Sequence, residues 1–440
     1  MNGIAIKQQP AIKRIFIFDP CFGALTGHWE NYCKRLYHEL VERGFQVKVF
    51  GQVHPNNKII EGINFEPVFT YSPYVFMPNM HAFNQQASLF LNNFNAINTA
   101  EFQDGDIFIF HSIFPQTFSA ILEWTKELSL QKKIITALFF QFPPANAKKH
   151  ENVVSKLFCW LQKKLSHNQH YHSNMVWVEN NNVRFYQQSS IEVSRLVDAG
   201  SHILLASTDV LSQNFSALFR KKVHYLPMPG EKLPNPPIIN MVDISKKNAL
   251  SPIDHNFFPS IKIGYFGHSA LEKGGQFLRY IVERTLILYP NAEFVLHINP
   301  NPDTEIHLER FKIHKLPNVS CHFGHLEQTT IMSLMAQVDI LLMPYSPHKY
   351  ATTPSAVFTE GMPLQKIFVL PKGTWMSEEA KKYNAGYTTF SAYHQDSILR
   401  ALMSAIIHFK TLKQKSIMAG IKFYQENNMT NYIDVLMDVL

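Results

Sequence analysis

Three residues in this chain are of types that can act on a charged or hydroxylated ligand and stand where loops meet regular structure: Lys273, Glu360 and His111. Lys273 closes the stretch GYFGHSALEKGG, which follows an apolar run and carries Gly267 and His268 in its turn. A glycine-bearing turn lets the backbone approach a phosphate. The N–H groups of a following helix add partial positive charge, and the lysine adds a full one. The spacing is neither G-x-x-x-x-G-K-[ST] nor G-x-G-x-x-G, so the local pattern also fits a strand-to-helix turn with a solvated lysine.

The stretch PSAVFTEG offers a second helix start. Ser355 is of N-cap type, and the N–H groups of Ala356 and Val357 would then face an anion. Glu360 stands five residues past Ser355. A carboxylate there can accept two hydrogen bonds from the vicinal hydroxyls of a ribose. The plain alternative is an exposed helical glutamate stabilised by the helix dipole. His111 ends the apolar run DIFIFH, and His28 and Glu30 lie in TGHWEN. A histidine at a strand end can donate hydrogen bonds to a sugar hydroxyl or a departing phosphate, and it titrates near neutrality. The chain shows no metal-spaced His/Asp cluster, no Asp-x-Asp and no Ser-His-Asp pattern. Its four cysteines, Cys21, Cys33, Cys159 and Cys321, fit neither a zinc site nor a disulfide framework.

These residues need elements to hold them. Ile15 to Phe18 is a continuous apolar run, as expected of a strand buried on both faces. After the loop Asp19–Gly27, apolar positions at Trp29, Tyr32, Cys33, Leu36, Tyr37, Leu40 and Val41 recur three and four apart and predict a helix, with Gly44 at its stop. Val47 to Phe50 is the next strand, which makes one βαβ unit. The rhythm continues with strands at 107–110, 134–139, 176–178, 202–206 and 223–226, and helices at 118–128 and up to Val197. Seven prolines between Leu226 and Ser260 predict an extended linker. The rhythm then restarts. Strands are expected at 261–266, 294–298, 319–323, 340–343 and 367–370, and helices at 272–289, 331–337 and 396–412 and from about Gln414 onward. The fold class that follows is α/β, with two Rossmann-like doubly wound domains facing across a cleft. The expected division is 1–230, a linker at 231–260, 261–415, and a C-terminal helix at 416–440 that packs back on the first domain.

Composition agrees with a folded chain of more than one domain. It has 440 residues, 46% hydrophobic and 17% charged, enough to bury large cores. The net charge of +7 favours anionic partners such as nucleotide phosphates or an anionic membrane surface. The basic residues are spread rather than clustered and no dedicated motif is present, so nucleic acid is not an expected partner. No leader is legible at the N-terminus and no stretch approaches the ~18–20 apolar residues of a membrane span, so a cytoplasmic location is expected. The stretch WLQKKLSH, 160–167, would allow peripheral contact with the inner face of a membrane.

Taken together and in order, these stretches resemble the retaining family-4 glycosyltransferases of the GT-B fold. IGYFGHSALEKGG is similar to the family's strand and Lys-Gly loop, and TTPSAVFTEGMPLQKIFVLPKGTW to the region of its Glu-x7-Glu motif. FGALTGHWENYCKRLYHELVERGFQVKVF resembles the family's glycine loop, first helix and second strand. DIFIFH resembles the strand that ends in histidine, and VHYLPMPG the strand that closes the first domain. The resemblance implies that Lys273 contacts a donor diphosphate and that Glu360 holds the ribose. It places Ser355, Ala356 and Val357 at the phosphates, Gly23, Gly27, Gly267 and His268 near the donor, and His111 near the reacting sugar. His28 and Glu30 remain acceptor-side candidates. The sequence departs from the family in two places. Thr352 stands eight residues before Glu360 where the first glutamate is expected, and Gly267, His268 and Ser269 replace the expected arginine. The implied activity is retaining transfer of a sugar from a nucleotide-diphosphate donor to a glycan, lipid-linked or protein acceptor, with no metal and no cofactor. The alternative is a nucleotide-sugar-binding or glycan-binding protein that has lost turnover. A phosphorylase-type or epimerase-type enzyme of the same architecture is a further rival.

Overall fold

The computed structural model of the chain describes residues 13–23, 28–73, 80–141, 186–187, 189–230, 260–267, 271–298 and 315–440. The strand expected at 176–178, the surface helix at 160–167 and all but the last residue of the linker at 231–260 lie outside the described residues. The chain divides into two units, Met1–Pro227 with Ile433–Leu440, and Met228–Tyr432.

The first unit is built on seven strands: β1 (Arg14–Phe18), β2 (Gln46–Gln52), β3 (Phe65–Phe69), β4 (Ile107–Phe110), β5 (Ile135–Phe140), β6 (His202–Ala206) and β7 (Val223–Tyr225). They lie in the order β3-β2-β1-β4-β5-β6-β7, and every pair is parallel. The order reverses between β1 and β4, so the carboxyl ends of those two strands flank the topological switch point. Central strands of a parallel sheet are covered on both faces, which is why β1 and β4 read as unbroken apolar runs. Ile17 pairs with Val49 on one side and with Ile109 on the other. The helix His28–Glu42 buries Tyr32, Cys33, Leu36, Tyr37 and Leu40, the stripe its spacing predicts. The helix Pro115–Ser129 starts on a proline, whose missing N–H has no intrahelical partner in the first turn in any case.

The core of this unit is aromatic. Phe16, Phe18, Phe50, Phe94, Phe102, Phe108, Phe110 and Trp124 form one cluster. Trp124 stacks on Phe108 at 5.7 Å and on Phe94 at 5.3 Å between ring centroids. Such pairs add about 0.5–1.5 kcal/mol each beyond the apolar area they bury.

The second unit has six strands: β8 (Ile261–Tyr265), β9 (Ala292–Ile298), β10 (Val319–Phe323), β11 (Ile340–Leu342), β12 (Ile367–Pro371) and β13 (Tyr387–Phe390). Their order is β10-β9-β8-β11-β12-β13, again all parallel, with the switch between β8 and β11. Its core is mainly aliphatic on one face, with Ile263, Leu296, Ile340, Ile367, Val369 and Leu402 among the buried residues. The α/β fold with two parallel, doubly wound sheets is the one the sequence leads to expect.

Several boundaries differ from those expected, each for a local reason. The strands β3 and β13 were not anticipated. β3 is split by Pro67 and β13 reads Tyr-Thr-Thr-Phe, so neither shows a long apolar run. The helix expected at 272–289 is broken. Residues Leu271–Lys273 and Gly275–Phe277 form two 3-10 turns, and the α-helix begins only at Leu278. The helix expected at 396–412 ends at Ile407, and a new one, Phe409–Glu426, starts after His408, whose φ of −98° and ψ of 20° leave the helical region. A separate helix, Met429–Val439, follows.

Candidate functional site

The site in the second unit starts at the end of β8. Gly267 has φ +118°, in the region that favours glycine, and a Cβ there would lie 2.9 Å from the Lys273 ammonium. The lysine therefore folds back over the turn it follows. Gly274, next in sequence, has φ +73°, and a Cβ on it would lie 2.1 Å from the Pro344 carbonyl oxygen. No side chain fits there. The turn is pinned further by Ser346 N–H, which donates to the Glu272 carbonyl at 2.7 Å, and by the Tyr393 hydroxyl, which donates to the Leu271 carbonyl.

Lys273 thus sits on a short 3-10 turn and not at the start of a long helix, which corrects the expected helix start there. Its ammonium lies 5.6 Å from the centre of the Tyr345 ring, a cation–π contact. Burial lowers its pKa from the ordinary lysine value, while Glu272 and Glu360 act in the opposite direction.

Glu360 lies in the short helix Ala356–Gly361, whose N-cap is Ser355. The Ser355 hydroxyl accepts from the Phe358 N–H at 3.4 Å. Ala356 and Val357 are the first two helical residues, whose N–H groups have no intrahelical acceptor. Glu360 is not an exposed glutamate on a solvated face. It is 7% exposed, and its Oε1 accepts from the Gln328 side-chain amide at 2.7 Å. A buried carboxylate needs such partners. Thr352, the residue in place of the motif's first glutamate, is also buried and brings no charge.

The first unit treats its strand ends differently. His111, directly after β4, is wholly buried. Its Nδ1 lies 3.1 Å from Asp19 Oδ2, and Tyr32 stacks on its ring at 3.9 Å. Gln141, directly after β5, sets its amide nitrogen 3.2 Å from His111 Nε2 and donates to the His111 carbonyl at 2.7 Å. Asp19 Oδ1 accepts the Cys21 N–H at 2.8 Å. The ring of His111 thus has the Asp19 carboxylate at one nitrogen and the Gln141 amide at the other.

The structure therefore brings Gly267, Lys273, Ser355 and Glu360 to one edge of the second sheet and holds His111 in a closed cluster of the first. Gly23 forms a tight turn packed on Pro55. Glu30 is half-buried in the first turn of its helix. Gly27, His268 and the side chain of His28 lie outside the described residues. Four participants were not singled out from sequence: Tyr345, Gln328, Asp19 and Gln141. Asp19 and Gln141 each follow a buried strand directly, and a polar residue at that place is the signal that could have found them. Among the described residues no group of three or more His, Cys, Asp or Glu side chains is placed to hold a metal ion, and no helix is long and apolar enough to cross a membrane.

No protein-family model matches the chain, and no curated protein resembles it in sequence. Solved structures do resemble it in fold. The HepE protein of Anabaena in complex with UDP superposes with a TM-score of 0.60 at 12% identity, over 97% of this chain and 99% of that one. A trehalose-6-phosphate protein of E. coli bound with UDP-2-fluoro glucose gives 0.60 at 12%, with the same coverage. A putative UDP-N-acetylglucosamine 2-epimerase from Listeria monocytogenes gives 0.55 at 11%, over 98% and 96%. At these identities the likeness shows the fold alone, and that fold is shared by glycosyltransferases of the GT-B type and by an epimerase.

Proposed function

We propose that this chain is a glycosyltransferase that takes its sugar from a nucleotide-diphosphate donor held by the second unit. The observation that carries the reading is the lysine folded over a glycine turn at the end of β8, with the buried carboxylate of Glu360 acting on it electrostatically. In this reading Lys273 binds the diphosphate and stabilises the charge that develops on it as the sugar–phosphate bond breaks. Glu360, oriented by Gln328, accepts hydrogen bonds from the ribose hydroxyls. Ser355 and the start of its helix face the phosphates. The UDP and UDP-sugar found with two of the structural neighbours support a nucleotide-sugar ligand.

The finer features rest on the sequence resemblance: retention at the anomeric carbon, the leaving phosphate as acceptor of the proton, independence of metal, and a glycan, lipid-linked or protein acceptor. Peripheral contact with an anionic membrane belongs with them. His111, enclosed by Asp19, Tyr32 and Gln141, stands at the carboxyl edge of the first sheet, and its place near the reacting sugar rests on the same resemblance.

A second reading has a specific motive. Thr352 is buried and uncharged where the resemblance places a carboxylate, which fits a nucleotide-sugar-binding protein without turnover. One experiment series separates the two. Thermal stabilisation by a panel of nucleoside diphosphates and their sugars should reveal one preferred nucleotide. A ligand at a hundred times its Kd adds about 2.7 kcal/mol. Lys273→Ala and Glu360→Ala should each abolish the shift. Donor hydrolysis by the wild type then supports the enzyme, and tight binding with no hydrolysis or transfer supports the binding protein. If no nucleotide shifts the wild type at millimolar concentration, both readings fall.

A further inference from the structure

The turn that carries Lys273 is docked residue by residue on the segment that leaves β11, the strand beside β8 at the switch point. The Glu272 carbonyl accepts the Ser346 N–H at 2.7 Å. Gly274 packs so closely on the Pro344 carbonyl that a Cβ has no room. Between these two contacts stands Tyr345, and the Lys273 ammonium lies 5.6 Å from the centre of its ring. That is within the roughly 6 Å reach of a cation–π contact. The ring is held by its own packing. Tyr345 is 1% exposed, and the Tyr350 ring lies against it at 4.6 Å between centroids.

A half-buried ammonium needs compensation for the water it has lost. A carboxylate at ion-pair distance would supply it, but an incoming anion would then have to displace that carboxylate. A neutral ring face attracts the cation and takes none of its three N–H donors. Burial holds the Tyr345 phenol in its neutral form. Its hydroxyl is buried and makes no hydrogen bond, although the Ser355 side chain lies near enough to act on it. What the residue gives to the lysine therefore comes from the ring. Glu272 on the same turn, Glu360 on the helix Ala356–Gly361 and His297 on β9 also act on this ammonium electrostatically.

We propose that Tyr345 is a positioning residue for the anion site: its ring face seats the Lys273 ammonium and keeps it a cation, with the N–H donors directed to the diphosphate. The identity of the anion rests on the nucleotide-sugar reading above, and the seating of the lysine does not.

The test weakens the ring face without changing its shape. Tyr345→Phe, and phenylalanines fluorinated at one, two and three ring positions, are placed at residue 345 of the full chain. Fluorine draws electron density out of the ring face and loosens its hold on a cation in steps. The Lys273 pKa is read without ligand by carbon-13 NMR of protein labelled at the lysine Cε, the signal being assigned with Lys273→Met. Tyr345→Phe should keep the wild-type value. The fluorinated series should lower it stepwise, by about one unit at the third fluorine, which is tenfold in the protonation equilibrium. Calorimetry with the nucleoside diphosphate that stabilises the wild type most, run from about pH 7 to 10, gives the second arm. Affinities are taken relative to the wild type, so the ligand's own titration cancels. The pH at which binding is lost should move down in the same steps. A merely structural tyrosine would leave both pH readings in place across a series of equal shape. The proposal is overturned if the Lys273 pKa is the same throughout the fluorinated series, or if Tyr345→Phe lowers it as far as the third fluorine does, which would assign the effect to the hydroxyl. A stepwise pKa with no nucleoside diphosphate bound by the wild type supports the seating of the lysine and overturns the nucleotide-sugar reading instead.

Discussion

At the end of β1 in the first unit, Asp19 is wholly buried, and its carboxylate is taken up by His111 and by the Cys21 amide. At the end of β8 in the second unit, the chain turns at Gly267 and lays Lys273 back over that turn, its charge opposed at a distance by Glu272 and Glu360. The two sheets share a parallel, doubly wound order, and each reverses beside its first strand. They differ in how their polar groups at the carboxyl edge are satisfied. The first unit pairs them with one another, and the second leaves a cation beside a glycine turn. A shared fold thus supports a cluster of mutually paired polar groups in one place and a lysine laid over a glycine turn in another.

The largest effect that would break this comparison comes from Asp19→Ala. If the cluster is structural, losing a fully buried carboxylate partner should lower stability by about 3 kcal/mol in urea unfolding. Stabilisation by the preferred nucleotide should persist. A small loss of stability with complete loss of nucleotide binding would reverse the assignment of the two edges. Gly274→Ala comes next. Its left-handed φ and the close Pro344 carbonyl predict a loss of about 2 kcal/mol, together with weaker nucleotide binding because Lys273 is its neighbour. A neutral substitution would show that the turn is looser than its geometry implies.

The smallest effect sharpens the contrast between two lysines of the second unit. Lys366 is buried, and its ammonium donates to the Ala336 carbonyl at 2.8 Å and to that of Val338. Burial lowers its pKa to about 8, from an ordinary value of 10.5. Below pH 8 it is protonated in both the folded and the unfolded chain, and its full burial penalty is present. Between pH 8 and 10.5 the unfolded chain keeps a proton that the folded chain has lost, so stability rises with pH. Wild-type protein should gain about 1 kcal/mol over Lys366→Met between pH 8 and 9 in chemical unfolding. Nucleotide binding should not track Lys366, whereas it should weaken as Lys273 deprotonates.

Much of the fold was legible because parallel strands buried on both faces leave unbroken apolar runs, as at Ile107–Phe110 and Ile367–Leu370. The strands β3 and β13 were not legible, because a proline and a pair of threonines hide short strands that neighbouring chain makes stable. In the site, Lys273, Ser355 and Glu360 stood out by type and by their place after strands or at a helix start. Tyr345 and Gln328 did not. A tyrosine after a strand and a glutamine at a helix start are common, and only folding brings one under an ammonium and the other onto a carboxylate.

The sequence by itself therefore determined the alternation of elements, the strand ends that could carry a ligand, and the glycines at 267 and 274 that let a turn form there. Local chemistry suffices for these, since apolar runs and glycine act within a few residues of themselves. Only the tertiary structure decided that His111 meets a buried carboxylate directly while Lys273 lies half-buried over a glycine turn. Enclosure depends on what strands and helices distant in sequence bring against a side chain: Asp19, Tyr32 and Gln141 against one, and a glycine without a Cβ against the other.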